Sequence, residues 1–75
     1  MDLRLIQGHL AEAERHLARS EAHIARQIEI LDRLERDGHS TDLALEVLAT
    51  LRAVHATYVS HCNLIRNELA EWRMN

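Results

Sequence analysis

The sequence predicts an all-α fold: an antiparallel helical hairpin of two long helices that self-associates into a four-helix bundle. Three observations carry this. Both halves of the chain repeat apolar residues at alternating steps of three and four. One short polar segment, around Gly38, interrupts them in a chain with no proline and only two glycines. The apolar rows are also wider than a single partner helix covers.

The first helix is expected over about residues 2–36. Leu3, Leu10, Leu17, Ile24 and Leu31 are spaced by seven, and Ile6, Ala13, Ser20, Gln27 and Leu34 follow each by three. A 3-4 spacing held over five heptads is the pattern of an amphipathic helix with one seam. Glu29 with Arg33, and Asp32 with Arg36, are i,i+4 pairs in the favourable order. Gly8 sits inside this helix at a cost of about 1 kcal/mol relative to alanine.

The periodicity breaks at "LERDGHSTDLALE", with a turn expected over about 37–41. Gly38 suits the left-handed position that closes a helix. Ser40 or Thr41 then serves as the next N-cap, with Asp42 in the positive first turn. The strings "AERHLARSEAHIARQ" and "LERDGHSTDLALEVLATL" resemble a group of short bacterial helical-hairpin proteins with a helix–DGH–helix pattern. The resemblance implies the hairpin and carries no activity with it.

The second helix is expected over about 41–73. Its seam runs through Leu48, Leu51, His55, Tyr58, Cys62, Ile65, Leu69 and Trp72, and Val47 and Val54 widen it. At 1.5 Å per residue each helix is roughly 50 Å long, and so short a connection makes them antiparallel. A turn centred at residues 39 and 40 pairs Ile6 with Trp72, Leu10 with Leu69, Leu17 with Cys62, Ile24 with His55 and Leu31 with Leu48. Trp72 then plugs the open end over Ile6.

Two helices leave much of this apolar surface uncovered. Ile28, Ile30, Val47, Val54 and Val59 lie beside the seams, and no acidic residue occurs from Val47 to Asn67. Ala49, Ala53 and Ala56, with Ala11, Ala18, Ala22 and Ala25, allow close backbone approach. The expected assembly is a homodimer or homotetramer with an isologous interface. Its contacts are expected among Leu10, Leu17, Ile24, Leu31, Leu48, Leu51, Tyr58, Ile65, Leu69 and Trp72. A domain this small holds about 5–15 kcal/mol of net stability. Each leucine-sized side chain left wet forgoes about 1.5–3 kcal/mol, so a lone folded hairpin is expected to be scarce.

Composition narrows function. The net charge is −3, and no basic stripe forms, so nucleic acid is not an expected partner. No apolar run reaches the ~20 residues that span a bilayer, and the polar faces lack the basic clusters of membrane-surface helices. "MDLRLIQGHL" turns polar too soon for a signal peptide. Cys62 is the single cysteine, so no internal disulfide forms, and a cytoplasmic setting is expected.

Histidines supply the candidate chemistry. His9, His16 and His23 repeat every seven residues beside the first seam. They stand about 10 Å apart along the helix, too far to share one ion whose ligands lie at ~2.0–2.1 Å. The candidates for a zinc or copper site are His16, His23, His55, His61 and Cys62. His61 and Cys62, however, point about 100° apart. The paired Glu-x-x-His motifs of carboxylate-bridged bundles are absent. The competing reading is a polar layer, with Ser20, Gln27 and Tyr58, that fixes register. Histidines beside an apolar seam also suggest a third reading, a pH-sensitive interface. Cys62 lacks the cleft and oxyanion donors that a nucleophile needs. The sequence therefore predicts no enzyme and no cofactor. It predicts a structural or interaction module that docks on itself or on an unidentified protein, with a small metal-binding bundle as the alternative.

Overall fold

The computed structural model describes residues 2–74. Two α-helices, α1 (Leu3–Arg36) and α2 (Asp42–Met74), pack side by side in a rod with extents of 58 × 14 × 14 Å. Its radius of gyration is 17.1 Å, against about 11 Å for a compact domain of this length. Among the described residues there is no strand.

Local chemistry fixes each end. Asp2 caps α1: its side chain accepts a hydrogen bond from the Arg4 N–H at 3.1 Å. At the other end Gly38 has φ +73°. The Gly38 N–H donates to the Glu35 carbonyl at 3.2 Å and the His39 N–H donates to the Leu34 carbonyl at 2.9 Å. These two bonds make a Schellman closure, satisfying carbonyls that the last turn leaves open. Arg33 and Arg36 in that turn oppose the negative helix end. Helix α2 restarts with the Thr41 carbonyl accepting from the Leu45 N–H at 2.9 Å and with Asp42 in the first turn. The Ser40 hydroxyl lies 3.5 Å from the Asp42 N–H, too long for a strong cap.

The two glycines have opposite worth. A β-carbon at either meets nothing within 4 Å, so backbone preference alone decides. Gly38→Ala places a side chain in the left-handed region and is expected to cost about 1–2 kcal/mol. Gly8→Ala removes the helix-interior penalty and is expected to gain about 0.5–1 kcal/mol. Thermal melts of the two variants should move in opposite directions; parallel shifts would refute this account of the turn.

The seam follows the 3-4 rows. Ile6, Ala13 and Ser20 are buried on α1; Ala44, Leu48, Cys62, Ile65 and Leu69 are buried on α2. Ile6, Ala13, Cys62, Ile65 and Leu69 form one cluster, with Leu3, Leu10 and Leu17 partly buried against it. In α1 the central row is thus the one begun by Ile6. The Leu10, Leu17, Ile24 and Leu31 row lies half-buried along its side. Leu48, Ile65 and Leu69 are consumed inside the hairpin, so they are not open to a second chain.

Ile6, 1% exposed, packs into the Cys62–Ile65–Leu69 cluster, whereas Trp72 is 44% exposed. Farther along, the Gln27 side-chain amide donates to the Ala44 carbonyl at 3.0 Å, and the His16 ring lies 5.6 Å from that of Tyr58. These two contacts fall about one turn from the pairing read off the turn, whereas Glu14 with Arg66 falls on it. A slip of one turn returns nearly the same face of a helix, so the apolar pattern alone does not separate the two registers.

Candidate functional site

With Ile6, Ala13, Ser20 and Gln27 at the centre of α1, the residues just outside the seam fall into two edges. On one edge stand Glu14 and Glu21. The Arg66 Nη2 atom lies 3.9 Å from Glu14 Oε1, and His55 Nε2 lies 3.7 Å from Glu21 Oε1. These pairs bridge α1 and α2 but are solvent-washed, and exposed pairs contribute about 0–1 kcal/mol each.

The opposite edge carries the histidine row. His9, Glu12, Ala13 and His16 of α1, with Tyr58 and His61 of α2, line an open groove of about 320 Å³. A smaller one of about 130 Å³ continues along the same edge past Ser20, His23, Leu51 and Val54. His16 and Tyr58 belong to both, with their rings tilted by 39°. His16 Nε2 lies 3.7 Å from Glu12 Oε1 one turn earlier.

This geometry disperses the metal-ligand candidates. His16 and His61 share the larger groove, and His23 lies in the smaller one. His55 turns to the other edge, toward Glu21. Cys62 is 0% exposed inside the apolar cluster, pointing away from its neighbour His61. Among the described residues, no three His, Cys, Asp or Glu side chains come close enough to hold one metal ion. The grooves are open along their length, and the one thiol is sealed from solvent.

Part of what the hairpin leaves outside is apolar. Leu43, Val47, Val54 and Leu64 of α2 are exposed, as are Leu5, Ile28, Leu45, Trp72 and Met74. Of the expected contact residues, Leu10, Leu17, Ile24, Leu31, Leu51 and Tyr58 are half-buried and Trp72 is exposed. The sequence reading missed Leu43 and Leu64, although both follow the seam's own spacing displaced by one residue. No described helix is long and apolar enough to cross a membrane. Compared with protein-family models, curated proteins and solved structures, the chain matches none.

Proposed function

We propose that this chain is a small self-associating helical protein, a structural or protein-interaction module that works as a homodimer or homotetramer in the cytoplasm. One observation carries the reading: the hairpin exposes more surface than a compact protein of its mass. Its accessible area is 5708 Å² at 8.7 kDa. The scaling for compact monomers gives about 4,700 Å². The excess, about 1,000 Å², is of the order that one partner buries in a standard interface, about 800 Å². Exposed Leu43, Val54 and Leu64 make part of that surface apolar. The cytoplasmic assignment rests on the lone thiol of Cys62. Beyond holding copies of itself together, such a bundle offers its outer faces to a further protein.

Sedimentation across nanomolar to micromolar concentrations tests this, with circular dichroism beside it. The expected result is a dimer or tetramer whose helicity falls as dilution breaks it. A fully helical monomer, stable at micromolar concentration, overturns the reading.

A further inference from the structure

Helix α2 carries a second seam. Leu43, Val47, Thr50, Val54, Thr57, His61 and Leu64 alternate steps of four and three, one residue behind the row that packs on α1. One residue is about 100° of rotation. Two seams about a right angle apart are what a helix at the corner of a four-helix bundle needs, one for each neighbour. The hairpin uses the first seam and leaves the second in solvent, with Leu43 73% and Leu64 67% exposed. No charged side chain interrupts it. Its two hydroxyls are already engaged: Thr50 donates to the Glu46 carbonyl and Thr57 to the Ala53 carbonyl, each at 3.2 Å. The threonines can therefore present their methyl groups without stranding a donor.

The order of residues along this seam reads nearly the same in both directions: Leu, Val, Thr, Val, Thr, His, Leu. A two-fold axis near Val54 lays Leu43 on the second copy's Leu64, Thr50 on its Thr57 and Val54 on its Val54. Only Val47 meets an unlike residue, His61. Beyond Leu64 the row turns acidic at Glu68 and Glu71. On the α1 side of this face Arg19 lines the smaller groove with Val54, and Arg26 and Arg33 follow Arg19 at steps of seven.

We infer that the partner is a second copy of this chain, docked antiparallel through the second seam of α2 about an axis at Val54. This rests on the self-association proposed above and names its surface. The seam spans about 32 Å, and the two-fold axis sets the two α1 helices side by side on one face of the α2 pair. A four-helix assembly built this way is closed and isologous.

Single cysteines in a Cys62→Ala background test the inference, treated with a short bifunctional maleimide and read beside the native mass. Val54→Cys lies at the axis and is expected to give a covalent dimer in high yield. Ala56→Cys, exposed and about 200° round the helix from Val54, is expected to give several-fold less. A native dimer that cross-links through Ala56→Cys and not Val54→Cys overturns this interface while leaving self-association standing. A native monomer at all concentrations overturns both.

Discussion

Ile6→Ala is expected to destabilise the hairpin by about 2–5 kcal/mol, the usual cost of emptying a buried aliphatic site. Ile6 is 1% exposed and lies in the cluster with Cys62, Ile65 and Leu69. Against a net stability of about 5–15 kcal/mol, that is a large share. For a domain of this size each kcal/mol moves the melting temperature by about 4–8 °C, so a drop of roughly 10 °C or more is expected. Trp72→Ala is the informative comparison. In the pairing read from the turn, Trp72 covers Ile6 and the two losses would be similar. In the observed register Trp72 is nearly half exposed, and its loss should be the smaller. Circular dichroism melts at one fixed protein concentration measure both, because association shifts the melt by mass action. A larger loss for Trp72→Ala would refute the observed register.

How much of this was legible in the sequence depends on the kind of feature. Both long helices, packed on each other, could be read because 3-4 spacing is a geometric consequence of the α-helix. The centre of the seam was harder to find. Ala13, Ser20 and Ala44 are small or polar, so they draw less notice than leucines, yet they are buried. Small residues are what a close helix contact accommodates, and the larger Leu10, Leu17 and Ile24 are left to its side. Apolar periodicity fixes the face, and only the turn and the cross-helix contacts fix the height.

The candidate site was legible as residue types and misleading as a cluster. His16, His55 and Cys62 share a helical neighbourhood in sequence terms. A shared neighbourhood ignores which side of the seam each side chain leaves by. His16 precedes the leucine row and opens to one edge; His55 reaches Glu21 on the other; Cys62 points between them into the core. The second seam on α2 was open to the same periodic reading that found the first, had the count begun at Leu43. Val47 and Val54 also fit as a wider margin of the first seam, and that double fit hides their own row.

Leu64→Glu tests that row by its symmetry. Leu64 is 67% exposed in the hairpin, so replacing it should leave hairpin stability within about 0.5 kcal/mol, as for most surface sites. In the proposed dimer the two-fold axis repeats each contact, so one substitution removes two Leu43–Leu64 contacts and places two carboxylates against leucine. At about 1.5–3 kcal/mol per buried leucine the dimer loses about 3–6 kcal/mol. That weakens dissociation constants by roughly 10²–10⁴-fold at 1.4 kcal/mol per decade. Leu43→Arg should do the same from the other end of the seam. The decisive step is to mix the two monomeric variants. In the antiparallel pair, one guanidinium then meets one carboxylate at one end, and an unaltered Leu64 meets an unaltered Leu43 at the other. A heterodimer is expected from the mixture although neither variant associates alone, whereas Ala56→Glu on the far side should leave the native mass unchanged. A parallel dimer, or one formed through the alanine faces, predicts no such rescue, because positions 43 and 64 of different chains would never meet. Failure of the mixture to associate, with both variants helical, would remove the antiparallel seam.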